Sequence, residues 1–191
     1  MKILRLILTL FIGLYSHQAW SINACTPLAE AAGKAYQFAE KHVAIRINQT
    51  PPPGLVVKQV ERVGVWHVYQ TDTDLFSQVC AALPLDPNNA VQNAANAQPP
   101  GLVYPVLQNR FNQRFAVLNG QFLIKANDNN KLQQWQKDFN LKRILSLYDG
   151  ETAVFQAADQ QDLAELLNQL QRQTGLISVT PLLSEQRYRT R

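Results

Sequence analysis

The chain has 191 residues and two cysteines, with 18 Lys and Arg against 14 Asp and Glu, a formal net charge of +4. That length suffices for one good core or two small ones. The charge is too mixed for a nucleic-acid footprint, since no segment is dense in Lys or Arg and no aromatic residues interleave with basic ones.

Lys2 and Arg5 precede an apolar run from Ile7 to Tyr15, and Ala19-Trp20-Ser21 puts small residues at the two positions a signal peptidase reads. This is the layout of a secretory signal peptide over 1–21, and the run is too short to span a bilayer. The protein is therefore expected to be periplasmic or secreted, without a membrane anchor. Ile22-Asn23-Ala24-Cys25 faintly resembles a lipoprotein box, which leaves lipidation at Cys25 as the lesser alternative. Processing removes Lys2 and Arg5 and leaves 18 − 2 = 16 basic residues against 14 acidic, a net +2.

Residues 22–100 read as an N-terminal α+β extension. A helix is expected over 27–42, with Thr26 as cap, Pro27 in the first turn, and Leu28, Ala32, Ala35, Tyr36, Ala39 and Val43 at three- and four-residue steps. Pro51-Pro52-Pro53-Gly54 marks a linker. Leu55 to Val60 and Gly64 to Tyr69 then alternate as paired strands, and Asp72 or Thr73 can cap a helix from Asp74 to Leu83. Residues 84–100 are rich in Pro, Asn, Ala and Gln without an apolar period, the composition of a flexible loop. Two cysteines, Cys25 and Cys80, lie in this half. In an oxidising compartment their default fate is one disulfide, against a lipidated Cys25 or two free thiols. Nothing in the chain has the spacing of a Cys/His zinc set.

Leu102 to Leu107 and Phe115 to Leu118 resume extended structure, followed by a strand at Phe122 to Ala126. Leu132, Trp135 and Phe139 give a short helix, and Leu141 to Tyr148 the next strand. Asp149-Gly150 signals a hairpin into Thr152 to Ala157. Asp159 is read as the cap of a helix from Gln160 to Thr174 with a seam of Leu163, Leu166, Leu167 and Leu170, stopped by Gly175. Leu176 to Val179 is the last strand, ended by Pro181. The fold class expected is α+β, with a C-terminal ferredoxin-like β-α-β-β-α-β domain of two helices on a four-stranded antiparallel sheet over 101–181, and a tail over 182–191.

Catalytic chemistry is not expected. The mature chain has two histidines, His42 and His67, neither near a nucleophile motif, and no G-x-S-x-G elbow or glycine-rich phosphate loop occurs. His67 reads as a strand residue and His42 as a helix-terminal one. Trp66, Trp135 and the Leu seam read as core rather than a ligand pocket, and no cofactor is implied.

Three segments carry a resemblance. Val103-Tyr104-Pro105-Val106, Val117-Leu118-Asn119-Gly120-Gln121-Phe122-Leu123-Ile124-Lys125 and Gly175-Leu176-Ile177-Ser178-Val179-Thr180-Pro181 are similar, in order and spacing, to the propeptide domains of bacterial subtilisin-like serine proteases. Glu61-Arg62-Val63-Gly64-Val65-Trp66 resembles a strand found further upstream in some of these precursors. Thr180-Pro181-Leu182 departs from the family's usual Glu-Pro-Asn. With no protease following, the chain looks like the external chaperones of kexin-like bacterial subtilases. The resemblance implies a chaperone and inhibitor whose sheet packs on the protease. Its tail, ending Tyr188-Arg189-Thr190-Arg191, would lie product-like in the active-site cleft. An extended tail suits such a cleft because backbone bonds supply affinity and side chains supply specificity. The alternative is a non-catalytic envelope binding or scaffold protein.

Overall fold

The computed structural model describes residues 23–49, 51, 57–84 and 101–185. The expected signal peptide, residues 52–54 of the expected linker, the first two residues of the strand expected from Leu55, and residues 85–100 of the expected loop lie outside the described residues. No helix among the described residues is long and apolar enough to cross a membrane.

Helix α1 (Thr26–Ala32) is short because Gly33, at φ +128°, leaves helical space directly after it. The helix expected over 27–42 is therefore corrected: its second part is strand β1 (Tyr36–Arg46). Lys41 has a positive φ of 59°, and the β1 register shifts between Phe38 and Val43. That bulge gives a strand the uneven apolar spacing that imitates a helical stripe. His42 accordingly lies on a strand, its ring 4.8 Å from that of Phe115, and not at a helix end.

Strands β2 (Val57–Val63) and β3 (Trp66–Thr71) form the expected hairpin. The helix expected from Asp74 does not form. Asp74 Oδ1 instead accepts from the Phe76 amide at 3.0 Å, a local turn that competes with helix, and the segment ends in the two-residue strand β4 (Leu83–Pro84). Strand β5 (Leu102–Asn109) leads into β6 (Phe115–Ala126), one twelve-residue strand where two were expected. Helix α2 (Asn129–Asp138) is capped by Asp128, whose carboxylate accepts from the Asn130 amide. Strands β7 (Lys142–Ser146) and β8 (Thr152–Gln156) flank the Asp149-Gly150 turn.

Helix α3 (Leu163–Gln171) starts three residues later than expected, because Asp162 and not Asp159 accepts from the amides of Ala164 and Glu165. Replacing this cap with alanine (Asp162→Ala) is expected to cost about 1 kcal/mol, read from urea unfolding midpoints. Strand β9 (Leu176–Glu185) runs through Pro181 instead of ending there. Proline is tolerated because β9 pairs on one edge only, with β6, and Pro181 stands opposite Phe122.

The ferredoxin-like domain on a four-stranded sheet is also corrected. All the described strands form one nine-stranded sheet in the order β2-β3-β1-β5-β6-β8-β7, with β4 on β5 and β9 on β6. The cause lies in β6. Its first residues, Phe115 to Val117, pair with Gln108 to Val106 of β5, and its second part, Gln121 to Lys125, pairs with Gln156 to Thr152 of β8. Gly120 between them, at φ +78°, allows the change of partner, and an added Cβ there would sit 2.9 Å from Gln156 Nε2. The order of strands and helices in a sequence does not say which strand edges will meet.

The sheet is buried on both sides in its middle. Val43, Ile45, Val103 and Leu107 join the larger core with α1, α2 and α3, while Ala44, Val68, Tyr104 and Val106 face a second cluster around Trp66. Each fully buried side chain of this size contributes on the order of 1.5–3 kcal/mol before entropy is counted.

Candidate protein-docking face and the end of strand β9

The last four strands have one covered face and one open face. Leu132 and Trp135 of α2, with Leu163, Leu166, Leu167 and Leu170 of α3, pack in one core with Phe122, Ile124 and Phe155. Alternation along a strand sends the intervening residues to the other side. The register aligns them across the sheet: Leu145 opposite Val154, Val154 opposite Leu123, and Leu123 opposite Thr180. Val154 and Leu123 are half-buried, and Leu145 is 53% exposed.

Strand β7 ends the sheet, so its outer edge has no partner among the described residues. Ile144 (49% exposed), Leu147 (40%) and the fully protruding Tyr148 extend the apolar row along this edge and onto the hairpin tip. Arg143 turns to the covered side, its guanidinium 5.3 Å from the Phe155 ring centre. The tip itself is firmly built. Asp149 accepts from the amides of Glu151 and Thr152 and from the Thr152 hydroxyl at 2.7 Å. The Thr152 hydroxyl leads in holding the Asp149 carboxyl below the usual carboxylate range. Large exposed apolar side chains on a rigid edge are a recurrent mark of a protein contact.

A second feature is the end of β9. Leu183 packs on the larger core, Asn119 Nδ2 donates to Ser184 Oγ at 3.1 Å, and the Tyr36 hydroxyl donates to Glu185. Burial first, and the Glu185 carboxylate second, push the Tyr36 hydroxyl above its ordinary pKa, so it remains a donor throughout the neutral range. Beside this end lies an open groove of about 640 Å³, bounded by Arg62 of β2, Val65 of the β2–β3 turn, and Asn119, Gln121 and Glu185.

The expected site residues divide as follows. Cys25 and Cys80 are joined in a disulfide, both fully buried, which settles their pairing. Tyr188, Arg189, Thr190 and Arg191 lie outside the described residues, although the first four residues of the expected tail, 182–185, form the end of β9. His42 Nδ1 is 2.9 Å from the Glu40 carbonyl and His67 Nδ1 is 3.4 Å from the Tyr69 hydroxyl, so the two histidines occupy different sites. No group of three His, Cys, Asp or Glu able to hold a metal occurs among the described residues. The open apolar row was missed from sequence, although Ile144-Leu145-Ser146-Leu147-Tyr148 was its signal: four apolar side chains in five residues at the start of a hairpin.

Residues 30–189 match the family described as "Open reading frame 2 N-terminal domain". No curated protein and no solved structure matches the chain.

Proposed function

We propose, for a chain that belongs to the Open reading frame 2 N-terminal domain family, that it acts as an exported, non-catalytic chaperone and inhibitor of a subtilisin-like serine protease. The observation that carries this reading is the open apolar row from Leu123 through Val154 to Leu145, continued by Ile144, Leu147 and Tyr148. Such a row suits burial against apolar helix faces of a partner, which is how the sheet of the resembled propeptides meets its protease. The end of β9 supports the second half of the reading, because residues 186–191 follow directly from a strand end that pairs with β6 and is bonded through Ser184 and Glu185. Tyr188 to Arg191 would lie there in product-like fashion, Arg191 in an acidic pocket and Tyr188 in an apolar one.

The test is capture from native envelope and culture fluid on immobilised chain spanning 22–191, beside a version ending at Glu185, which keeps β9 whole. The expected result is an inactive subtilisin-like protease on the longer chain and an active one on the shorter. Recovery of no such protease, or equal activity on both, rejects the reading. The groove between the β2–β3 turn and β9 favours a second reading, an envelope binding or scaffold protein. That reading predicts a different captured partner, retained when residues 186–191 are absent.

A further inference from the structure

We infer that the free edge of β7 pairs with β7 of a second copy, antiparallel across a two-fold axis centred on Ser146. Four strands have a neighbour on one side only among the described residues: β2, β4, β7 and β9. Native sheets guard a bare edge with charge, proline, a bulge or brevity. Strand β4 is two residues long, β9 carries Pro181, and β2 carries Lys58, Glu61 and Arg62 beside a register shift. The register shift of β7 lies before Leu145, and Leu145-Ser146-Leu147-Tyr148 beyond it has none of these guards.

The backbone suits such pairing. The Leu147 amide donates to the Thr152 carbonyl at 2.9 Å inside the hairpin. Bonding direction alternates along an antiparallel strand, so the Ser146 amide and carbonyl point outward. Two copies centred on Ser146 let each amide donate to the other's carbonyl. Leu145 then stands opposite Leu147 of the second copy, on the open face. The charges make a second copy the occupant. Strand β7 opens with Lys142 and Arg143, and its hairpin turns through Asp149 and Glu151. Antiparallel pairing sets the basic start of each copy beside the acidic tip of the other, and the symmetry does so twice. Lys125 acts on Asp149 as well, and offsets only part of the charge of the tip. The pairing uses the edge and lays two open rows side by side, so it stands independently of the protease reading.

The test is sedimentation equilibrium of the chain spanning 22–191 from about 1 to 100 μM, since an edge contact of this size supports a dimer of micromolar stability. The native chain is expected to dimerise across that range. Ser146→Pro removes both central bonds and no bond within the chain, so it should weaken the dimer at least about 30-fold with Tm nearly unchanged. Lys142→Glu should weaken it about threefold or more, and Lys142→Glu/Glu151→Lys should recover most of that loss. An oxidised mixture of Leu145→Cys and Leu147→Cys chains should yield a covalent mixed dimer, and a mixture of Leu145→Cys and Phe111→Cys chains should not. A native chain that stays monomeric at 100 μM overturns the inference. A dimer unaffected by Ser146→Pro, or a Leu145/Leu147 mixture without cross-link, overturns the pairing at Ser146. Should Ser146→Pro lower Tm markedly, the charge exchange and the cross-link decide in its place.

Discussion

A Cys80→Ser chain is expected to melt about 10 °C below the native one by calorimetry. The bond joins residues 55 apart in sequence. In the chain-entropy account, closing a loop of that length stabilises by about 4 kcal/mol. For a chain of this size each kcal/mol is worth roughly 2–4 °C. The loss falls on one place. Cys25 opens α1, Cys80 lies beside Phe76 in the larger core, and the Cys80 carbonyl accepts from the Leu163 amide at 2.8 Å, at the first residue of α3. Cutting the bond therefore loosens α1, the segment around residues 72–82 and the start of α3 together. A fall of under about 3 °C would mean that packing alone holds them.

The second large effect is on binding. Under the proposed function, Leu145→Arg should weaken capture of the proposed protease partner by about 100-fold, in the range of a central interface side chain. Its effect on Tm should be small, because Leu145 is 53% exposed and its removal opens no cavity. Phe111→Arg is the matched control, since Phe111 is 85% exposed in the β5–β6 turn, away from the β7–β8 hairpin. Surface plasmon resonance on the recovered protease separates the two. Equal affinities would remove the open row from the interface and leave the tail as the main contact.

Legibility in the sequence followed the range of the interactions involved. The stretch from Asn129 to Gln171 could be read closely because its signals are local: the Asp149-Gly150 turn, the Leu seam of α3, and an aspartate ahead of that helix. Even there the cap was misplaced by three residues, since Asp159 and Asp162 offer the same chemistry and only tertiary contact chooses. The N-terminal half was misread where one spacing serves two structures. Tyr36, Ala39 and Val43 fit a helical stripe, and also a strand interrupted by a bulge at Lys41.

The size of the sheet was obscured for another reason. Leu102-Val103-Tyr104-Pro105-Val106-Leu107 is apolar without alternation, the pattern of a strand buried on both faces. Pro105 argues against a central strand, yet it stands opposite Val43, directly at the β1 register shift, where the ladder is already broken. Of the candidate docking face, the exposed residues of β7 were visible as letters. Their openness was not, because it depends on both helices packing against the other side.

The change of partner along β6 has a consequence for how the molecule fails. One strand is shared by the β2-β3-β1-β5 half and the β8-β7 half, and β9 covers its remaining edge from Ala116 to Ala126. Neither half can open without stripping a ladder from the other, so heat or denaturant should produce a single all-or-none transition. Most of these pairings join residues far apart in the chain, and such topologies fold slowly. A newly made copy would therefore spend longer with bare strand edges than a helical protein of the same length. Edges left bare for that interval are templates for pairing with another chain.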